Sequence, residues 1–208
     1  MSRENNQKID DILKFWFGRV EETIVPSEHR ARVWFAEDEA TDQEIKNLFL
    51  EDLNRAVEGQ YCEWENVPRG QLALILLFDQ FSRHLFRNNI QAYAADSEAL
   101  RICIDGIRQQ NDHELSLIER VFYYFPLLHS ENLSYQEQAI RAYQILSELA
   151  FSETRVIYDS FLKFAHHHYS IIERFGRFPQ RNLILGRESR EEEIVYLKEI
   201  GAGSASSE

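Results

Sequence analysis

The spacing of apolar residues along the chain is the feature that most constrains its fold. Apolar residues recur every three or four positions almost throughout the 208 residues, and no run of strict alternation is long enough for a β-strand. The small number of chain-breaking residues, 8 Gly and 4 Pro, also argues against a turn-rich β-sandwich. The sequence therefore predicts an all-α protein of about eight to nine helices.

Helix boundaries follow from capping residues and glycines. Three pairs have the spacing of a capping box and are each expected to start a helix: Thr41 with Glu44, Ser134 with Glu137, and Ser189 with Glu192. Other helices are predicted over 9–17, 32–35, 68–86, 92–109, 114–125 and 153–175, and Gly59 and Gly176 are expected to end helices. Residues 9–200 are predicted to form one domain, with disordered tails at 1–8 and 201–208.

Charge and cysteine content exclude several classes of function. With 35 acidic and 23 basic residues the net charge is −12, which disfavours nucleic acid as a partner. Cys62 and Cys103 have no metal-ligand spacing and are expected to be free thiols in a reducing cytoplasm. The polar start resembles no signal peptide, and the apolar run 72–78 is too short to cross a bilayer. We expect a cytoplasmic protein that needs neither a membrane nor a cofactor.

Asp79 interrupts the longest apolar run of the chain. A buried carboxylate is costly without a partner, and Arg83 lies one helical turn further on, with Arg87 one turn beyond it. One interpretation is an intrahelical ion pair that closes off the core. The other is a polar stripe, including Gln80, on one wall of a cleft.

A second polar cluster lies between residues 165 and 187. It contains four arginines and one acidic residue, Glu173, in a chain that is otherwise strongly acidic. Guanidinium groups bind carboxylate or phosphate through paired hydrogen bonds, and Gly176 and Gly186 permit close approach of the backbone. The cluster predicts either an anion pocket or a set of ion pairs that hold the last helix in place.

Histidines offer weaker signals. In the run 166–168, adjacent helical residues point about 100° apart and cannot converge on one ion, so no metal site is predicted. His129, Ser130 and Glu131 follow a predicted helix end, where functional groups are common. The alternative for His129 is a favourable interaction with the helix dipole.

Several of these segments together resemble a known family, the bacterial domain-of-unknown-function family 924. The resemblance covers residues 10–198, and the segments that carry it are 15–17, 34–35, 70–83, 86–87, Asp96, 126–131, 175–182 and 185–187. It implies stacked helical hairpins in a tetratricopeptide-repeat-like right-handed superhelix, and it implies no activity. The family pattern usually has histidine where this chain has Gln180, and leucine where it has Phe78.

The leading functional hypothesis is an arginine-rich pocket for a small anionic ligand, with hydrolase- or transferase-like chemistry. Asp79 and His168 are the acid/base candidates. The ligand-binding candidates are Gln80, Arg83, Arg87, His129, Glu131, Arg177, Arg181, Asn182 and Arg187. The alternative is a non-catalytic scaffold whose concave helical face binds a peptide or protein partner.

The two polar clusters are expected to meet in space. Asp79, Arg83, His129 and Arg177 are predicted to surround one cavity, and His168 is predicted to reach it from the end of the long helix. An enclosed polar cleft would favour the ligand hypothesis, whereas an open apolar groove would favour the scaffold.

Overall fold

The structure, a computed structural model, describes residues 2–18, 28–36 and 38–204. Every regular element in these ranges is helical, which confirms the predicted all-α fold. The α-helices are α1 (Arg3–Phe17), α2 (Glu28–Phe35), α3 (Glu39–Val57), α4 (Pro68–Ile75), α5 (Ser82–Leu85), α6 (Asp96–Arg108), α7 (Leu117–Tyr123), α8 (Phe125–His129), α9 (Leu133–Leu149), α10 (Arg155–Phe175) and α11 (Glu191–Ser204). If α4 with α5, and α7 with α8, are each counted as one rod, the described ranges contain nine helices, within the predicted number.

The predicted helix over 68–86 is a single rod with a π segment, Leu76–Phe81, between α4 and α5. The backbone N–H of Ser82 reaches the carbonyl of Leu77, five residues back. The Ser82 hydroxyl donates to the Phe78 carbonyl at 2.6 Å, so this carbonyl has a partner in the widened turn. Such segments are frequent at functional sites, and this one carries Asp79 and Gln80.

Two of the predicted capping boxes are wrong because an earlier side chain caps the helix. The Asp38 carboxylate accepts the backbone N–H groups of Ala40 and Thr41, so α3 begins at Glu39. The Asn132 side chain accepts the N–H of Ser134, so α9 begins at Leu133. In both cases an Asp or Asn displaces the hydroxyl residue from the capping position.

The third predicted box is also wrong in its pairing. The Glu193 carboxylate accepts the backbone N–H of Arg190 at 2.7 Å, while the Ser189 hydroxyl accepts a hydrogen bond from Asn182. A complete capping box occurs instead at Ser116 and Glu119, at the start of α7.

The ends of the chain are more helical than the sequence indicates. Ser2 accepts the backbone N–H of Asn5 at 3.1 Å, so α1 begins at Arg3 and not at residue 9. At the other end α11 continues to Ser204. Met1 and residues 205–208 lie outside the described residues, and disorder of the last four stays a prediction. The long helix α10 ends at Phe175 as predicted, with Gly176 at φ +70°.

Aromatic side chains form the centre of the core. Trp16 on α1 is fully buried, and its ring lies 5.5 Å from that of Phe122 on α7 and 5.4 Å from that of Phe81. The Trp34 indole N–H donates to the Trp16 carbonyl at 2.9 Å and ties α2 to the end of α1. These contacts fix the rod of α4 and α5 between the first and middle parts of the chain.

Helices α9 and α10 form an antiparallel hairpin, the unit that the family resemblance implies. Ser147 donates to Asp159 at 2.5 Å near the turn, and the rings of Tyr143 and Phe161 stack at 6.3 Å further along. This hairpin is compatible with a tetratricopeptide-repeat-like fold. The right-handed superhelical stacking, and a single domain over 9–200, stay predictions.

The cysteines are free thiols, with Cys62 exposed and Cys103 buried. Across the described residues, none of the helices combines the length and the apolar character needed to cross a membrane.

Candidate functional site

The site is organised around Asp79, a carboxylate that the π segment holds entirely out of contact with solvent. A buried carboxylate requires compensation, and three side chains provide it. Arg83, one turn along the rod, lies 3.3 Å from Oδ1. The Gln80 amide donates to Oδ2 at 2.5 Å, and the His129 imidazole approaches from α8.

His129 is the partner of Asp79 that comes from a distant part of the sequence. Its Nδ1 lies 2.7 Å from Oδ1 and 2.9 Å from Oδ2. With the carboxylate ionised, Nδ1 carries the proton and donates, which leaves an unprotonated Nε2 on the edge of the ring away from Asp79. Among the described residues no group hydrogen-bonds this Nε2. We call Asp79 and His129 the dyad.

Arg83 connects the dyad to α6. Its two terminal nitrogens bind the Asp96 carboxylate at 2.9 and 3.1 Å, and one of them also donates to the Ala92 carbonyl at 3.0 Å. Its guanidinium lies over the ring of Tyr93, 5.2 Å from the centroid. Arg83 therefore has most of its donors occupied by protein oxygens.

Arg181 approaches the dyad from the 3₁₀ turn Pro179–Arg181 and is held differently. Its guanidinium lies 5.0 Å from the ring centroid of Tyr93 and 4.4 Å from that of Phe178. One nitrogen donates to the His129 carbonyl at 3.0 Å, and a carboxylate oxygen of Asp96 is 3.8 Å away. A guanidinium has five N–H donors, so most of those of Arg181 have no protein acceptor within the described chain.

His129 and Arg181 border a cavity of about 340 Å³ between α6, α8 and the segment that follows α10. Asp79 and Arg83, which the sequence predicts at the cavity, are not among its lining residues and reach it only through His129 and Asp96. Its lining residues are Tyr93, Asp96, Ser97, Leu100, Pro126, His129, Ser130, Glu131, Arg181 and Leu185. His129 and Arg181 supply the imidazole and the guanidinium, while Leu100, Pro126 and Leu185 supply apolar surface. The cavity combines a few polar groups with an apolar wall, as small-molecule sites do.

The electrostatics of the dyad favour an ion pair between Asp79 and Arg83. Burial by itself would raise the pKa of Asp79, but the charge of Arg83 and the hydrogen bonds from His129 and Gln80 outweigh burial and lower it below its usual range. Burial lowers the pKa of His129, and the nearby Arg83 and Arg181 charges act in the same direction against the opposing effect of Asp79. The imidazole is therefore neutral near pH 7.

Of the three arginines around the cavity, Arg83, Arg181 and Arg187, Arg181 has the least compensation of its charge. Burial lowers its pKa, and the charge of Arg83 lowers it further, although Asp96 and Tyr93 act in the opposite direction. A guanidinium stays charged in spite of such a shift. The positive charge of Arg181 is consequently exposed to whatever occupies the cavity.

Glu131 lines the cavity but is already paired. Arg187 binds it with both terminal nitrogens, at 2.6 and 3.0 Å, and the backbone N–H of Phe178 donates to it at 2.8 Å. Burial would raise the pKa of Glu131, and these hydrogen bonds lower it instead. The Glu131–Arg187 pair thus joins the end of α8 to the segment that follows α10.

A family model described as "Bacterial protein of unknown function (DUF924)" matches residues 12–201. The chain belongs to this family. A solved structure, of a protein of unknown function named ATU0120 from Agrobacterium tumefaciens, is 33% identical and has a TM-score of 0.77. The match covers 94% of this chain and 99% of that one. A comparison with curated proteins gave no match.

In this member of the bacterial family, His168 lies beside the dyad and outside the cavity lining. Its ring is 6.4 Å from that of His129 and packs against Phe164 at 4.2 Å and Phe178 at 5.3 Å. Its Nδ1 lies 3.0 Å from the Phe164 carbonyl. Burial lowers the pKa of His168 to about 3, with a further contribution from His129. His168 therefore supports the His129 ring as a neutral packing partner.

The sequence predicts Arg177 at the cavity, and this is wrong: Arg177 is not among the lining residues. Its guanidinium binds the Glu193 carboxylate at 2.6 and 2.7 Å and the Glu188 carbonyl at 2.8 Å. Asn182, almost fully buried, donates to the same carboxylate and to Ser189. The ion-pair interpretation of the second cluster therefore describes Arg177, and the Asn182 hydrogen bonds add to it in holding α11 against the preceding segment.

Arg87 also departs from the predicted stripe. It binds Asp42 on α3 through two nitrogens, at 2.9 and 2.8 Å, and His84 approaches the same carboxylate at 2.7 Å. The rod ends at Leu85, so the chain beyond it no longer continues the helical edge that carries Asp79 and Arg83. Arg87 faces α3 for that reason.

Two of the lining residues that the sequence-based list of site residues lacks hold the arginines in place. Tyr93 supports both Arg83 and Arg181, and Asp96 accepts from Arg83. Asp96 could have been found from the sequence because it is one of the residues that carry the family resemblance. Nothing in the sequence marks Tyr93 as a site residue. Gln180, which stands where the family pattern has histidine, is exposed. Among the described residues no set of three His, Cys, Asp or Glu side chains is arranged to hold a metal ion.

Proposed function

We propose that this protein binds a small anionic molecule in the cavity between α6, α8 and the 3₁₀ turn Pro179–Arg181, with His129 as the acid/base group. The observation that carries the proposal is the position of Arg181. Its guanidinium lines the cavity between two aromatic rings, and it has one backbone hydrogen bond and one long contact to Asp96. Carboxylate or phosphate oxygens are the natural acceptors for its remaining donors.

His129 supplies a group that can take or give a proton beside that anion. The dyad hydrogen bond fixes the ring and its tautomer, so that Nε2 is available as a base. Asp79 is fully buried and acts through His129, which makes it a positioning residue. Hydrolase- or transferase-like chemistry then relies on His129 rather than on Asp79 or His168.

The small size of the cavity, and the guanidinium and imidazole at its edge, favour this proposal over a scaffold with an open apolar groove. Peptide-binding helical repeats use extended concave surfaces, whereas this cavity measures about 340 Å³ and suits a compact ligand. The observation that favours the scaffold is exposed apolar surface near the α9–α10 turn, where Phe151 is 75% and Val156 71% exposed.

A thermal-shift series tests anion binding directly. The probes are inorganic phosphate, a phosphate monoester, short monocarboxylates and short dicarboxylates, each as the same salt at equal ionic strength. A probe at about 100 times its dissociation constant adds roughly 2.7 kcal/mol of stability, or about 5 to 11 °C for a domain of this size. Absence of any shift across the series contradicts the proposal.

Arg181→Gln is the variant that locates the site. It removes the charge and most donors while retaining a polar side chain, and we expect the probe-induced shift to disappear. Arg108→Gln is the matched control, because Arg108 is 74% exposed on α6 and pairs with Asp105 on the same helix. If both variants retain the shift, the anion binds elsewhere.

The acid/base role needs a separate measurement. Once a probe that binds also reacts, His129→Gln is expected to lower the turnover rate by about two orders of magnitude or more, since general acid–base catalysis contributes at least this much. His166→Gln, on the exposed side of α10, is the control. Unchanged turnover in His129→Gln contradicts the assigned role.

A further inference from the structure

The charges around the cavity are balanced before any ligand enters. Three carboxylates, Asp79, Asp96 and Glu131, face three guanidinium groups, those of Arg83, Arg181 and Arg187. Two of these guanidinium groups are already neutralised by short bidentate ion pairs, Arg83 with Asp96 and Arg187 with Glu131. The six groups together carry no net charge. The positive charge of Arg181 is the one without a short ion pair.

A bound anion must be neutralised by side chains that are themselves largely shielded from water. Arg181 has 11% of its side chain exposed and His129 has 14%. A monoanion together with one added proton leaves the set neutral, whereas a dianion with the same proton leaves an uncompensated negative charge. Uncompensated charge is costly at such depth, so the balance favours a ligand with a single negative charge.

The remaining lining residues describe the rest of the ligand. Leu100, Pro126 and Leu185 form an apolar part of the wall, and a volume of about 340 Å³ is at the lower end for ligand sites. This combination suits a short aliphatic body attached to the anionic group. A phosphate monoester is mostly dianionic near pH 7 and does not fit this charge balance.

We propose that the ligand is a short-chain monocarboxylate and that its binding transfers one proton from solvent to Nε2 of His129. The inference rests on the proposed function and adds the ligand class and the proton. The carboxylate keeps its charge and accepts hydrogen bonds from Arg181 and from the new imidazolium. The proton comes from the acid form of the buffer, which becomes its conjugate base.

The direction of proton transfer follows from the groups that face His129. Asp79 from the π segment favours the imidazolium, while Arg83 from α5 and Arg181 from the 3₁₀ turn oppose it. His168 from α10 is neutral, and the cavity carboxylates Asp96 and Glu131 are bound by Arg83 and Arg187. A carboxylate placed on Arg181 offsets the opposing charges, so the affinity of His129 for a proton rises when the ligand binds.

Calorimetric titration of the full chain with butyrate measures this transfer. The titration is made near pH 7 in two cationic buffers of different ionisation enthalpy, bis-Tris and Tris, at equal chloride concentration. The dependence of the observed enthalpy on the buffer gives the number of protons taken up. We expect uptake that approaches one proton per butyrate, and uptake indistinguishable from zero contradicts the inference.

Two further probes test the ligand class. Butyramide has the same shape without the charge and is expected not to bind. Inorganic phosphate is expected to bind at least about tenfold more weakly than butyrate, a difference of about 1.4 kcal/mol. If phosphate binds more tightly, the ligand class is wrong while the proposed anion site stands. If neither butyrate nor phosphate binds, the proposed function itself fails.

His129→Gln and His166→Gln assign the proton. The first is expected to abolish proton uptake, and the second, an exposed position on α10, is expected to leave it unchanged. If His129→Gln does not fold, a pH titration of the histidine Cε1 resonances of the unaltered chain replaces it. One resonance is then expected to titrate at higher pH with butyrate than without, and seven unchanged titrations contradict the inference.

Discussion

The carboxylate of Asp79 and the imidazole of His129 meet at 2.7 Å although fifty residues separate them in the chain. The contact exists because the π segment and the end of α8 pack against each other at the edge of the aromatic core. The imidazole gives the buried carboxylate a hydrogen-bond donor, and the carboxylate fixes the orientation of the imidazole. Their relationship therefore links stability and function, and the predictions below separate the two.

Asp79→Asn should destabilise the fold strongly. The substitution preserves volume but removes the charge that compensates Arg83, and loss of one member of a buried ion pair costs about 3 to 5 kcal/mol. Urea denaturation at pH 7 measures the difference. Asp105→Asn, at a carboxylate that is 41% exposed, is the control and should change the free energy of unfolding by less than about 1 kcal/mol. Equal effects of the two substitutions contradict the assigned burial.

Stability should decrease as the pH falls below about 6.5. The pKa of His168 is about 3 in the folded chain and that of His129 is also lowered, so the unfolded chain binds more protons than the folded one in this range. The free energy of unfolding then rises with pH, by up to about 1.4 kcal/mol per pH unit for each group. We expect His168→Gln to reduce the slope between about pH 4 and about pH 6.5, and His166→Gln to leave it intact.

Arg177→Ala should loosen the last helix without affecting anion binding. Glu193 is fully buried, and its hydrogen bond with Arg177 lowers its pKa to about 2, so the substitution leaves a carboxylate without its main partner. Hydrogen exchange is expected to accelerate in α11 and not in α9. Adding Glu193→Gln to the same chain should recover part of the protection. Loss of the probe-induced thermal shift in Arg177→Ala would restore this residue to the ligand site.

Gly106→Ala should be poorly tolerated because α6 approaches α7 closely at this position. A Cβ at Gly106 would lie 1.7 Å from the Tyr123 hydroxyl and 2.6 Å from the Gln71 side-chain oxygen. These two groups are hydrogen-bonded to each other at 2.7 Å in the core. Overpacking of this kind costs about 1 to 3 kcal/mol or more.

A double substitution provides the check on this packing. Gly106→Ala combined with Tyr123→Phe removes the closest clash and is expected to be less destabilising than the two single effects added together. Gly201→Ala, with nothing within 4 Å of the added Cβ, is the helical control. Additive effects of the first pair contradict the predicted contact.

The helices could be predicted from sequence because their signals are local. Periodicity and Gly176 predict α10 to its last residue, and the box at Ser116 and Glu119 was readable in the same way although it was missed. The three predicted boxes failed for a local reason too. An Asp or Asn two or three positions before the expected hydroxyl, or a glutamate one position after the expected one, competes for the same N–H groups.

The site could be predicted only in part because its pairings are long-range. Asp79 was identifiable as a buried charge, and Arg83 as its partner one turn away. The choice between Arg181 and Arg177 as the cavity arginine depends on which of them meets Glu193, and no spacing in the sequence encodes that meeting. Tyr93 was invisible for the same reason, since a ring that supports two guanidinium groups resembles any other half-buried tyrosine.

The π segment changes the direction in which side chains after it point, relative to the side chains of α4. Upstream, α4 is buried on all sides from Gly70 to Ile75, while downstream Arg83 must face Asp96. Deleting one residue between Leu76 and Phe81 would turn everything after it by about 100° relative to the core. The chain could then close a regular helix while losing the Arg83–Asp96 contact. A one-residue insertion or deletion here is therefore expected to preserve a packed helix and to disrupt the arrangement of residues at the cavity.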